Sequence, residues 1–184
     1  MAKRVRGFET VGDMVRSLAV VGVFVVVILA ITLRESPPKI KAVDAAPVLA
    51  AVAQAAPFEA SAPGATPAGW TVTSARVSYP TDKPYTWFVG YSTDTEAFVA
   101  VTQVYGDADP YLKEIGANGT PEGEVTINGE TWQKVSNPDG THHALTRTVG
   151  QLTTVVVGSA PYDVLQKTAA AITPAKATKA APTG

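Results

Sequence analysis

From Ser17 to Leu33 the chain reads SLAVVGVFVVVILAITL, an uncharged run closed by Arg16 on one side and Arg34 on the other. As a helix with a rise of about 1.5 Å per residue, such a run spans about 25 Å. Extending it back through Met14 and Val15, with Arg16 snorkelling to the headgroups, brings it closer to the roughly 30 Å of a bilayer core. A helix buried in a protein core would carry a polar stripe. Here only Ser17 and Thr32, near the ends, are polar. The pattern predicts a transmembrane helix over residues 14–34.

The flanks set its orientation. Lys3, Arg4, Arg6 and Arg16 precede the run, and Arg34, Lys39 and Lys41 follow it. The short N-terminal tail, residues 1–13, is therefore expected inside, with everything after the helix translocated. A cleaved signal peptide is the alternative, because small residues such as Ala42, Ala45 and Ala46 lie downstream. Against it, the run is longer than the 7–15 residues of an ordinary signal core, and Pro37-Pro38 with two lysines intervenes.

Residues 35–69 are rich in proline and alanine, which blocks long regular structure and favours a stiff tether. Within it, Pro47–Ala56 predicts a short helix, with proline at its start and Asp44 just before. Residues 173–184, small, polar and broken by proline, read as a disordered tail. That leaves residues 70–172 for an extracytoplasmic domain.

Strand-like alternation recurs there in WTVTSARVSY, TWFVGYS and AFVAVTQVYG. DADPYLKEIGANG predicts a helix capped by Asp107 or Asp109 and ended at Gly116 or Gly119. EVTI, TWQKVS, HALTRTV and LTTVVVGS form a four-strand meander, opened by a tight turn at Asn128-Gly129. Gly119 falls in what reads as a looser loop, so substitution there should be milder than at Gly129. PYDVLQKTAAAI closes the domain as a helix with Val164, Leu165, Ala169 and Ile172 on its apolar face. The expected class is α+β: an antiparallel sheet of about seven strands with two or three helices packed on it, preceded by the transmembrane helix. Trp70, Trp87, Trp132, Phe88, Phe98, Val99, Val101, Ile127, Val155 and Val157 are the expected core.

Short motifs support a relationship. Asp13–Leu18 (DMVRSL) before the apolar run, the Ala-rich segment after it, Pro67–Trp70 (PAGW) and Trp87–Tyr91 (WFVGY) resemble the actinobacterial DUF4245 family. That family comprises single-pass membrane proteins of unknown function. The resemblance runs from about Gly12 to Ile172 and implies a place in the cell envelope of a high-GC Gram-positive bacterium. It lends no activity and no site residue.

Composition closes several routes to function. With no cysteine, there is no disulfide, Cys-ligated zinc, iron–sulfur cluster, thiol nucleophile or lipidated cysteine. With 15 Lys+Arg against 16 Asp+Glu, the chain has no basic excess to bind nucleic acid. His142 and His143 are adjacent in an expected strand and point to opposite faces, so they do not share a metal. Ser159 lies in no G-x-S-x-G elbow and is expected to start the last helix. Asp107, Asp109, Glu114, Glu122 and Glu124 gather around the first helix of the domain without an EF-hand pattern, and phosphate-cradling glycine loops are absent. No metal and no cofactor is expected, and no catalytic residue is singled out. Tyr79, Tyr85, Trp87, Tyr91, Tyr105 and Tyr111 are dense; most are expected in the sheet and its rim, with those that escape the core forming a binding platform.

The function this supports is a membrane-anchored extracytoplasmic binding or scaffolding module of the cell envelope. Its partners are the bilayer, through the helix, and another membrane or wall component. The alternative is a hydrolase of an envelope polymer using two of Glu122, Glu124 and Asp139. Paired carboxylates in a cleft would favour the enzyme, and an aromatic pocket without them would favour binding.

Overall fold

Alternating apolar residues on both sides of the strands govern the architecture. The computed structural model describes residues 7–32, 41–78, 84–137 and 139–174. The chain divides into two units, Met1–Ile40 and Lys41–Gly184.

The first unit contains α1 (Gly7–Thr32), a single helix of 26 residues. Its described side chains, Gly12 and residues 14–30, are all exposed, including Met14, Leu18, Phe24 and Ile28. Among the described residues, no helix is long and apolar enough to cross a membrane. Leu33 and Arg34, which end the uncharged run, lie outside them.

The second unit runs α2 (Ala46–Ala55), β1 (Ser61–Pro63), β2 (Thr71–Ser78), β3 (Tyr85–Ser92), β4 (Phe98–Tyr105), α3 (Asp109–Glu114), β5 (Thr120–Ile127), β6 (Glu130–Ser136), β7 (His143–Val149), β8 (Leu152–Gly158), α4 (Tyr162–Ala170) and β9 (Ile172–Pro174). Strands β2 to β8 form one antiparallel sheet in the order β2-β3-β4-β8-β7-β6-β5. Two meanders thus meet at the β4–β8 seam, where Val101 pairs with Val156. The α+β class and the seven-strand sheet agree with the sequence. The pair β1–β9, which joins Ser61 to Pro174, is not legible there.

Strand alternation sorts the core into two layers. Trp87, Val89, Tyr91, Val99, Val101, Trp132, Leu145 and Val156 face Val52 of α2, Ala62 of β1, and Leu165 and Ala169 of α4. Phe88, Ala100, Val135, Ala144, Val155 and Val157 face the other way, where Leu112 and Ile115 pack on them. The core therefore draws on residues well before Trp70. Two expected core residues are displaced outward: Phe98 is 36% exposed and Trp70 only half-buried.

One buried polar group fastens the proline-rich segment to the sheet. Gln103 is 1% exposed. Its Oε1 accepts from the Ser61 backbone N–H at 2.8 Å and from Trp87 Nε1 at 2.9 Å, and its Nε2 donates to Thr154 Oγ1 at 3.1 Å. Phe58 adds edge-on contact with Tyr85 and stacking on Tyr105.

The turns obey local chemistry. Asn128 and Gly129 have φ of 52° and 81°, as a two-residue mirror-image hairpin requires. Gly119 departs from the expectation of a loose loop. A Cβ there would lie on the Ser136 carbonyl oxygen, 2.6 Å from its carbon and 2.9 Å from Asn137 Cα. Two capping expectations also change, while the expected Gly116 stop holds. The N-cap of α3 is Ala108, without a side-chain cap, and Asp107 instead accepts from the Asp109 N–H at 3.2 Å. Its C-terminal stop is Gly116, at φ 69°. Ser159 does not start α4, whose N-cap is Pro161; its hydroxyl accepts from the Phe98 N–H at 3.0 Å and prolongs the β4–β8 pairing.

Candidate functional site

A partly enclosed concave feature lies against the face of the sheet that carries α4. Three separate segments build it: the stretch from Pro63 to Trp70, the β3–β4 hairpin from Tyr91 to Thr95, and α4 with its flanks from Ala160 to Ala171. Its volume is about 330 Å³. That falls at the lower end of small-molecule sites and is about twice a cavity that houses benzene.

Local sequence explains each wall. Pro67 to Trp70 close a four-residue turn, with the Trp70 N–H donating to the Pro67 carbonyl at 3.1 Å. Gly69 takes its third position at φ 81°, as a type II turn demands. This swings the Trp70 indole beside Tyr91, with ring centroids 6.0 Å apart and planes inclined at 58°. Tyr91 is 4% exposed, and burial pushes its phenol up to about 12, so it is un-ionised at neutral pH. Along α4, Pro161, Val164, Thr168 and Ala171 present one helical face to the pocket. Polar groups sit at its border. Thr93 and Thr95 hydroxyls bond to each other at 3.0 Å, while Thr168 Oγ1 donates to the Val164 carbonyl at 2.9 Å. Asp94 and Lys167 supply one charge of each sign.

A wider, more open groove lies at the end of β2, β3 and β4, lined by Arg76, Phe88, Tyr111 and Glu114 among others. Arg76 covers the Phe88 ring at 4.8 Å. Tyr111 contacts Thr102 Oγ1 at 3.3 Å, and burial raises its phenol. This groove has less enclosure and more polar lining than the pocket.

The sequence-nominated residues fall in different places. Glu122, on β5, accepts from Ser136 Oγ at 2.7 Å and from Tyr162 OH at 2.9 Å. Those two bonds hold its carboxyl below the usual range, with His143 and Lys134 adding attraction. Tyr162 is raised by desolvation and then by its bond to Glu122. His143 opens β7 and lies 4.6 Å from the Tyr162 ring, centroid to centroid. His142 precedes that strand rather than lying within it. Its N–H donates to Asn137 Oδ1 at 2.9 Å. Asp139 bonds the Thr141 hydroxyl and N–H in the β6–β7 turn, and these lower its pKa. Glu124 is exposed. Glu122 and Asp139 are thus each engaged by separate hydroxyls in separate elements. Asp107, Asp109 and Glu114 lie in and just before α3. Among the described residues, no group of three His, Asp or Glu side chains could hold a metal. Of the aromatics, Trp87 is fully buried and Tyr85, Tyr105 and Tyr111 are half-buried. Tyr79 lies outside the described residues.

Trp70 is the pocket residue that strand periodicity hides, since it reads as the first core position of β2. The proline and glycine just before it are the signal that its backbone turns.

The molecule is therefore an α+β protein, built on a seven-strand antiparallel sheet with an aromatic-walled pocket under its C-terminal helix. The family model described as "Protein of unknown function (DUF4245)" matches residues 6–172, and the chain belongs to that family. No curated protein matches it. Among solved structures, it is similar to chains in the MucA/MucB complex of Pseudomonas aeruginosa and in MucB bound to MucA(peri). The identities are 18% and 15%, over 64% and 65% of this chain, with TM-scores of 0.36 and 0.37. The chain spans 35% and 38% of the length of those chains. Likeness at that level carries no argument about function.

Proposed function

We propose that this protein is a membrane-anchored, extracytoplasmic binding module whose recognition site is the pocket between Trp70, Tyr91 and α4. The observation that carries the reading is the pocket itself: about 330 Å³, apolar in most of its lining, walled by two aromatic rings, with Asp94 its single carboxylate. Such a site binds by shape and desolvation rather than by acid–base chemistry. The anchor is the uncharged run Ser17–Leu33, which α1 carries as far as Thr32, because every described side chain from Met14 to Ala30 is exposed and all but Arg16 and Ser17 are apolar or glycine. Its orientation puts residues 1–13 in the cytoplasm and the sheet domain outside, in the envelope of a Gram-positive cell.

Two measurements test this. A reporter active only outside the cytoplasm is expected to work when fused after Gly184 and to fail when fused after Asp13; the reverse result overturns the orientation. Native mass spectrometry of the full chain extracted from membranes is expected to show a small one-to-one adduct that the pocket-filling variant Ala160→Phe lacks. An adduct held equally by both proteins overturns the site.

A further inference from the structure

We infer that the Trp70–Tyr91 pocket takes the methylated ammonium head of a compact organic cation, with the two rings as walls and Asp94 as counter-charge; this rests on the pocket being the recognition site. Four observations on these residues point to that ligand. The ring planes are inclined at 58° with centroids 6.0 Å apart, so they form two sides of a wedge rather than a stack. A cation lodged in the wedge reaches both faces within the roughly 6 Å over which an aromatic quadrupole attracts charge. Burial keeps the Tyr91 phenol protonated and its ring neutral, so the wall does not change character at physiological pH.

The polar groups favour a cation over an anion. The threonine hydroxyls at the pocket's border are tied to one another and to the backbone. Thr93 Oγ1 accepts from the Ala97 N–H at 3.0 Å and shares a hydrogen with Thr95. Thr168 gives its hydrogen to the Val164 carbonyl. Within the first turn of α4, the Val164 and Leu165 N–H groups donate to the Pro161 carbonyl at 3.0 and 3.2 Å. Lys167, the one cation in the lining, is 79% exposed and pairs with Asp163 one turn earlier at 3.5 Å. Asp94 is exposed and forms no ion pair among the described residues. The pocket therefore offers two π faces, apolar surface and an unneutralised carboxylate at its border. A trimethylammonium group matches all three, being apolar on its surface and charged at its centre.

The test uses the full chain in nanodiscs of phosphatidylglycerol, a lipid without an ammonium head. It follows tryptophan fluorescence during titration with choline and with its uncharged isostere 3,3-dimethylbutan-1-ol. Choline is expected to saturate the signal, with the isostere about tenfold weaker or worse. Asp94→Asn should weaken choline about tenfold while leaving the isostere unchanged, and Trp70→Leu, read by calorimetry because it removes the reporting indole, should abolish binding of both. Equal binding of the two ligands overturns the cation and leaves an apolar pocket. Binding of neither, by fluorescence and by calorimetry, overturns the pocket reading itself. A repeat in phosphatidylcholine nanodiscs separates the sources. Loss of the response to added choline assigns the site to a lipid head, and an unchanged response assigns it to a free cation.

Discussion

Replacing Gly119 by alanine should damage this protein more than replacing the hairpin glycine, Gly129. At Gly129, with φ 81°, a Cβ meets nothing within 4 Å, so the penalty is backbone strain alone. For a non-glycine residue in that region it is about 1–2 kcal/mol. At Gly119 the added carbon would occupy the place of the Ser136 carbonyl oxygen and approach Asn137 Cα to 2.9 Å. Both neighbours are backbone, so the first rung of the β5–β6 ladder, Thr120 to Ser136, has to move. Overpacking that displaces backbone sits at the upper end of measured penalties, about 3 kcal/mol. With a urea slope of about 1–3 kcal/mol/M, that lowers the midpoint by about 1–3 M, against less than half as much for Gly129→Ala if its strain is nearer 1 kcal/mol. Equilibrium urea unfolding of the unit from Lys41 onward, followed by tryptophan fluorescence, measures both. Equal midpoints, or a larger loss at Gly129, would refute the close approach at Gly119.

Other consequences follow from the packing. Val52→Ala removes a fully buried side chain of α2 and should cost about 2 kcal/mol, read as a lower midpoint at unchanged slope. Gln103→Leu strands the Ser61 N–H and Trp87 Nε1 without their acceptor and should cost about 2–4 kcal/mol; Asn at the same position, being shorter, should not restore it. Glu122 is held below its ordinary 4.5, so its contribution is fully present above that value and is lost as pH falls through the lower folded one. Acidification below pH 4 should therefore lower the wild-type midpoint more than that of Glu122→Gln, and the carbon-13 titration of Glu122 should move upward in Tyr162→Phe.

Local signals carried most of the sheet. Alternation in Trp87–Tyr91 and Phe98–Tyr105 marks strands because each pleat exposes successive residues to opposite layers, and the Asn-Gly pair marks the β5–β6 hairpin because few other residues accept positive φ. What stayed hidden is non-local. The β1–β9 pairing joins Ser61 to Pro174 over three residues each, too short for any periodicity. Gln103 looks like one polar residue in an apolar run until Ser61 and Trp87 are brought to it. The pocket was illegible for the same reason. Trp70, Tyr91 and Val164 belong to segments that meet only when the seam between β4 and β8 closes and α4 folds back on the sheet. The pattern of Glu122 and Asp139 in sequence, in turn, conveys nothing of the hydroxyls that each engages.

The site is tested most directly by backbone and methyl NMR of the unit from Lys41 onward during titration with small apolar and methylammonium compounds. Saturable shifts are expected at Tyr91, Ala160, Val164, Thr168 and Ala171, all lining the pocket, and should vanish in Ala160→Phe. Shifts that gather instead around Arg76, Phe88 and Tyr111 would place recognition in the groove on the far side of the sheet and contradict the account.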